Sequence, residues 1–422
     1  MWWVVYFLLF VVGWLTFPSA FAETQTISVN DTDITIEVNT ARGDTVAIWL
    51  PSEAGPQPVD EQLAAEMASL GVEVWRVDLL KTHFLPILTS SMDKLPAEDI
   101  VELVNYADKT AGKKILWIAS GRGAIAVLRG LHAWQLNGGD SSKIVGAVFV
   151  SPKLFVETPD PGNSGELMPI VSATNLPLYI IQPQQSPWYW KLKQMIPALE
   201  TGGSDVYVRI LRKTRDRYFF RGDADDREKQ FAAATPRLIL QAIHQLQGLP
   251  AVVRNVAPLN KRAPVVEDGK KDHVLSDYTA DPNPPPLALV DMNNVVTDLK
   301  SYHGNVVLIN FWASWCPPCV REMPSLQRLK EKMQGKPFVI LAVNMAEDKA
   351  TVREFLNTKV KVDFPIVFDF DGEALQSWKV YAFPTSFVVD QNGKIRYALF
   401  GSIEWDEPQI VDKLRALTTT AN

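Results

Sequence analysis

Cys316 and Cys319 are the only two cysteines in 422 residues. They stand three apart in Trp315-Cys316-Pro317-Pro318-Cys319, directly after the apolar run Val306–Phe311 (VVLINF). Two thiols at this spacing suit disulfide exchange or a share in a metal site. If a strand ends at Phe311 and a helix runs over Cys316–Lys332, Cys316 lies in the first helical turn. Unpaired backbone N–H groups and the positive end of the helix dipole stabilise a thiolate there. The thiolate is the attacking species in exchange, so Cys316 is read as the nucleophile. Pro317 suits the first turn because its missing N–H would have no partner anyway. Cys319, less than one turn on, is near enough to close the disulfide and acts as the resolving cysteine.

Glu322 falls three residues beyond Cys319, on the same side of the helix. A carboxylate there can take the resolving thiol's proton, provided partial burial raises its pKa. Pro324 removes an N–H that the carbonyl of Val320 would have bonded, which bends the helix. Metal is the competing use of the pair. Two thiolates fill half a tetrahedral zinc site, and the sequence offers neither a second pair nor a nearby His-x3–5-His; the nearest histidine, His303, precedes the strand. No metal or other cofactor is expected beyond the redox-active disulfide Cys316–Cys319.

These residues need a strand–helix unit to hold them, and the pattern around them supplies one. LALVD opens the region, then come the strand Val306–Phe311 and the helix. Further strands are expected at Phe338–Val343 and Ile366–Phe368, with a helix over Lys349–Lys359. A hairpin of Thr385–Val389 and Ile395–Phe400 turns around Gln391-Asn392-Gly393, and a last helix covers Glu407–Leu417. Tyr381-Ala382-Phe383-Pro384-Thr385 sits just before the hairpin, where a proline is either an ordinary strand start or a cis residue.

VVLINFWASWCPPCVREMPSL, the Glu322-Met323-Pro324 trio, FPTSFVVD and the later Gly401 together resemble the TlpA/ResA-like family of exported thioredoxin-fold reductases, over about Pro285–Leu417. CxxC alone would be weak; the combination is specific. The resemblance implies a site of Cys316, Cys319, Glu322 and a cis Pro384 lying against the cysteines, with Trp315, Phe383 and Thr385 along the substrate groove. Thioredoxins proper carry a buried Asp where this chain has Asn310. Asn cannot titrate, so Glu322 inherits the proton role. The family implies client protein disulfides as substrates, often in apocytochrome c maturation, and a membrane electron donor that restores the thiols.

Ahead of this region, residues 2–17 form an apolar run of 16, short for a membrane helix and apt for a signal-peptide core. Small residues at Ala20 and Ala22 fit signal-peptidase cleavage after Ala22, although the run has no Lys or Arg before it. Export to the periplasm is expected, with a membrane tether if the segment is retained. At 47% hydrophobic and 21% charged residues, long disorder is not expected. A net charge of −6 without an aromatic-interleaved basic patch speaks against nucleic acid. The densest basic run, Arg212–Arg217, reads as a solvated loop.

Residues 23–248 begin with a hairpin, Thr26–Val38, and then alternate short apolar strands with helices, the pattern of a layered, mainly parallel α/β domain. Strands are expected at Thr45–Leu50, Val72–Val77, Lys114–Ile118, Ile144–Val150, Leu178–Ile181 and Val206–Leu211. Helices are expected at Val59–Leu70, Ala97–Ala107, Gly123–Trp134, Pro187–Ile196 and Thr235–Leu246. Element order and the strand–turn–helix KILWIASGRGAIAVLRG resemble the α/β-hydrolase fold. The resemblance puts Gly121 where the nucleophile should be, Gln182-Pro183-Gln184-Gln185 where the acid should follow, and Asp216-Arg217-Tyr218-Phe219 where histidine is due. Without a base a serine is a poor nucleophile, so this domain is read as non-catalytic. A recognition module tethered by the Pro-rich segment 249–284 is its expected role, with Trp188, Tyr189 and Trp190 as either client contacts or core cover.

The fold class is thus α/β with two domains, a three-layer α/β-hydrolase-like domain over 23–248 and a thioredoxin-like domain over 285–422, after a signal peptide at 1–22. The leading function is an exported disulfide reductase. A disulfide oxidase or isomerase would use the same residues, because direction depends on reduction potential. A redox-regulated binding or chaperone protein is the alternative of another class.

Overall fold

The computed structural model describes residues 22–29, 32–250, 254–256, 259 and 273–419. The expected signal peptide, apart from Ala22, lies outside the described residues, as does the hairpin turn at Asn30-Asp31.

Eight strands form the first sheet: β1 (Glu23–Val29), β2 (Thr32–Asn39), β3 (Thr45–Leu50), β4 (Glu73–Val77), β5 (Lys114–Ser120), β6 (Ile144–Val150), β7 (Leu178–Gln185) and β8 (Val206–Arg215). Their order is β1-β2-β4-β3-β5-β6-β7-β8. The β1–β2 hairpin is antiparallel, and from β4 to β8 every pairing is parallel. Strands β3 and β6 are buried at every position. That is why they read as unbroken apolar runs: helices cover both faces of the sheet. Val46, Ile48 and Leu50 face one core with the helices Ala97–Thr110, Gly123–Leu136 and Pro187–Thr201. Ala47 and Trp49 face a second core with Pro58–Ser69 and Asp226–Gln247. The unit is three-layered α/β.

Proline misleads the sequence reading at two helices. The Asp226–Gln247 helix passes through Pro236, whereas a start at Thr235 had been expected. A capping box of Asp225 and Glu228 satisfies its first turn, so it begins well before the proline. Pro187–Thr201 likewise continues past Pro197.

The second sheet contains β9 (Ser276–Asp277), β10 (Ala288–Asp291), β11 (Val296–Asp298), β12 (Val306–Trp312), β13 (Phe338–Met345), β14 (Ile366–Asp369), β15 (Thr385–Val389) and β16 (Ile395–Phe400), in the order β11-β10-β14-β13-β12-β15-β16-β9. Strands β12, β13 and β14 run parallel, and β15–β16 return as an antiparallel hairpin. The helices Pro317–Lys332, Lys349–Thr358 and Pro408–Thr419 pack on one face. The other face is covered by the short helix Glu373–Ser377 and by Trp190, which arrives from the first unit.

Two expectations are corrected here. The segment 249–284 is not a free spacer throughout: Ser276–Asp277 pairs with β16 and Leu275 is buried in the second core. Nor do the two units hang loosely on a tether. Tyr381, three residues before Pro384, belongs to the apolar core of the first unit, while Trp190 belongs to that of the second. No helix among the described residues is long and apolar enough to cross a membrane.

Candidate active site at Cys316 and Cys319

The β12 strand ends at Trp312, and the Pro317–Lys332 helix begins five residues later with Cys316 as its N-cap. The helix therefore starts one residue after the expected position. The backbone N–H of Cys319 donates to Cys316 Sγ at 3.3 Å, and the two sulfurs form a disulfide with Cα atoms 5.3 Å apart. Exposure differs slightly between them: Cys316 is 5% exposed and Cys319 is 0%. The turn before Cys316 is fixed by Glu347, whose carboxylate accepts from the Ser314 N–H at 2.7 Å, from its hydroxyl, and from Asn344 Nδ2 at 2.8 Å. Burial holds this carboxyl above its ordinary pKa.

Glu322 is 1% exposed. Asn310 Nδ2 donates to its Oε1 at 2.7 Å and Trp405 Nε1 to its Oε2 at 3.2 Å. Desolvation outweighs both donors and pushes the carboxyl up to about 8, against 4.5 for an unperturbed glutamate. A group titrating there is matched to a thiol, whose ordinary pKa is about 8.5. Asn310 also donates to Ser386 Oγ at 3.0 Å, which ties β12 and β15 to the acid. Trp405 is held in turn by its backbone N–H on Ser325 Oγ at 3.0 Å, and Arg328 binds the neighbouring Glu404 and Asp406 at 2.8 and 2.9 Å.

The Phe383–Pro384 bond is cis, and Pro384 is buried just ahead of β15. The rings of Phe383 and Trp315 meet edge to face at 5.7 Å. The Thr385 hydroxyl turns back onto the Ala382 carbonyl at 2.8 Å, away from a role as a free groove donor. A cavity of about 150 Å³ gathers Cys316, Trp315, Pro317 and Phe383; its other side is Gln185, Pro187, Arg215, Asp216 and Arg221 of the first unit. Among the described residues no three His, Cys, Asp or Glu side chains gather as a metal site.

The Redoxin family model matches residues 260–414. The thiol-disulfide oxidoreductase ResA of Geobacillus thermodenitrificans is 37% identical over 119 residues, 28% of this chain and 68% of that protein. ResA of Bacillus thuringiensis subsp. konkukian is 31% identical over 134 residues, 32% of this chain and 76% of that protein. The chain belongs to the ResA-like thiol–disulfide oxidoreductases. Among solved structures, a Chlorobium tepidum protein described as a DsbE thiol:disulfide interchange protein aligns with TM-score 0.31 at 30% identity, covering 33% of this chain and 96% of its own. The ResA-like part is the second unit, and the chain is a protein thiol–disulfide oxidoreductase.

Sequence reasoning reached both cysteines, Glu322, Asn310 and Pro384; in the structure the cysteines share a disulfide, Asn310 donates to Glu322, and Phe383, bonded in cis to Pro384, lines the Cys316 cavity. It missed Trp405, Ser386 and Glu347. Nothing local marks them, because each acts across the fold on a residue 33 or more positions away. It also read Arg212–Arg217 as a solvated loop; instead Arg215 is half-buried against Glu228 at 2.6 Å and forms part of the cavity wall.

In the first unit, Gly121 turns with φ of +53°, and an added Cβ would lie 2.4 Å from Glu53 Oε2. That carboxylate fills the space in front of the turn. It accepts the Arg122 N–H at 2.9 Å and pairs with Lys153. Burial alone would raise Glu53, but Lys153 and the Arg122 N–H prevail and hold it at about 2. Asp216, at the position expected for histidine, accepts the hydroxyls of Ser151 and Ser186. Burial raises the Asp216 carboxyl above its ordinary pKa.

Proposed function

We propose that this chain is an exported reductase of client protein disulfides. The observation that carries the reading is the division between the two cysteines. Cys316 caps the helix N-terminus and opens to the cavity, whereas Cys319 is wholly buried on the helix side that carries Glu322. In the reduced enzyme the Cys316 thiolate attacks a client disulfide, forms a mixed disulfide and expels one client thiolate, which takes a proton from water. Cys319 then gives its proton to the Glu322 carboxylate and attacks Cys316 Sγ, expelling the second client sulfur as a thiolate that takes a proton from water. The enzyme ends as the Cys316–Cys319 disulfide, two electrons poorer, and a dithiol donor at the membrane restores it. Pro384 and Phe383 border the groove in which the client segment lies.

Export is supported by the apolar run 2–17 followed by Ala20 and Ala22. Reduction rather than oxidation, and apocytochrome c as a client, are what the family resemblance favours. The first unit is read as a non-catalytic relative of the α/β-hydrolase fold. The parallel order β4-β3-β5-β6-β7-β8 and the strand–turn–helix at Gly121 support that reading, and Glu53 in the nucleophile's space supports the loss of activity. The test is turnover of a protein disulfide by the reduced chain and by Cys316→Ser, together with the reduction potential of the pair. Activity that survives in the serine variant ends the proposal. A potential as high as those of strong periplasmic oxidants, about −120 mV, replaces reductase with oxidase.

A further inference from the structure

The Cys316 cavity has two owners. One side is the expected redox groove of Trp315, Pro317 and Phe383; the other is Gln185 and Arg215 at the ends of β7 and β8, Pro187 at the start of the next helix, and Arg221 in the loop after β8. We infer that these four first-unit residues determine which disulfides reach Cys316, admitting an extended, unfolded segment and excluding the surface of a folded protein. The inference deepens the proposed reductase activity and rests on it.

The wall is braced. The Asp216 carboxylate accepts the hydroxyl of Ser151, just beyond β6, and that of Ser186, just beyond β7, at 2.7 Å for the latter. Ser186 Oγ also accepts the Trp188 N–H at 3.1 Å, which starts the helix at Pro187. One carboxylate thus ties three strand ends together beneath the wall. Arg215 is held bidentate by Glu228, at 2.7 and 2.6 Å. Arg221 reaches Asp223 at 2.9 Å and the Asp216 carbonyl at 3.3 Å. Bidentate pairs of this kind fix geometry as well as charge.

The wall is also fixed relative to Cys316. Tyr381, in the loop that leads to Pro384, is 7% exposed, accepts the Gly165 N–H at 2.8 Å and meets Phe155 edge to face at 5.5 Å. Lys191 Nζ lies 3.5 Å from the centre of its ring. On the opposite side, Trp190 packs where Gly372 has no side chain; a Cβ there would lie 2.3 Å from the indole. Each unit plants an aromatic residue in the other's core, so the gap over Cys316 is set by packed apolar contacts.

Size then decides the substrate. At about 10–15 Å³ of water-sized space per water, about 150 Å³ holds on the order of ten waters, or one extended cystine arm and little more. A folded partner presents on the order of 800 Å² of fairly rigid surface. It cannot bring a sulfur to a residue 5% exposed at the floor of such a gap. A mobile chain can thread its disulfide in.

The experiment compares kcat/KM on three substrates: a small folded protein with one surface disulfide, a short unstructured peptide spanning that disulfide, and a small aromatic disulfide. The wild-type chain is expected to prefer the peptide to the folded protein by at least about tenfold, the lower end of what a steric mismatch delivers. In Gln185→Ala/Arg221→Ala the ratio is expected to collapse to within about threefold of unity. A wild-type ratio near unity overturns the inference whether or not the variant folds. So does a ratio unchanged in a folded variant. Absence of turnover on all three substrates, the small disulfide included, marks failure of the reductase reading itself.

Discussion

Replacing Glu322 by Gln keeps the shape of the side chain and removes its proton. The consequences follow from its 1% exposure and its two donors, Asn310 Nδ2 and Trp405 Nε1. The wild-type carboxyl is raised from 4.5 to about 8. The native state therefore binds more protons than the unfolded state between those values. Stability is full below about pH 4.5 and is lost as pH rises through 8. At about 1.4 kcal/mol per pH unit the loss is on the order of 5 kcal/mol. Gln does not titrate, but its amide must face one of the two donors with another donor, which costs about 1–3 kcal/mol at every pH. The two stability curves are thus expected to cross, with wild type more stable in acid and the variant more stable above pH 8. Chemical denaturation of the oxidised proteins across that range measures the crossing. In kinetics, loss of the proton acceptor slows the attack of Cys319 on the mixed disulfide by about 10²-fold, while the first attack by Cys316 is spared. Single-turnover release of client thiol, followed against pH, reads that step. Parallel stability curves, or unchanged release from a folded variant, would refute the role given to Glu322.

Other expectations follow from the same contacts. Trp405→Phe removes a donor to the carboxylate, so Glu322 holds its proton more tightly and the pH at which client release accelerates moves upward; an unmoved profile would leave Trp405 a packing role alone. Tyr381→Phe leaves the Gly165 N–H without its acceptor and is expected to cost about 1–3 kcal/mol, read as a lower denaturant midpoint. Gly121→Ser sets a Cβ against the Glu53 carboxylate at a positive φ and is expected to lower thermal stability by about 1–3 kcal/mol without producing ester turnover. Measurable ester hydrolysis in that variant would contradict the reading of the first unit as catalytically idle.

What could be read from the sequence was what is written locally. The pair of cysteines at a strand–helix junction and the acid one turn further on lie within one element and are related by spacing; the proline before the hairpin was tied to them by the family resemblance. Asn310 was legible as a non-titrating neighbour only through the family resemblance, which puts a buried Asp at that strand position in thioredoxins proper. Trp405 was not legible. It sits 83 residues from Glu322 and meets it only because Arg328 and Ser325 hold the loop down. The relation between the two units was hidden for a different reason. Tyr381 and Trp190 look like ordinary surface-covering aromatics, and a proline-rich stretch between domains reads as a spacer. Only packing reveals that they exchange cores and that Ser276–Asp277 joins a sheet edge. Proline was also over-weighted as a helix boundary, an end at Pro197 and a start at Pro236, where strong capping and burial of the remaining face outweigh one lost hydrogen bond.

The most direct measurement is covalent trapping on a protein disulfide. With Cys319→Ser, a mixed disulfide is expected to accumulate with its bond to Cys316, located by mass spectrometry, and with Cys316→Ser none is expected. An adduct that forms on Cys319 in the absence of Cys316, or no adduct on Cys316 in a reduced and folded Cys319→Ser protein, would contradict the assignment of nucleophile and resolving thiol.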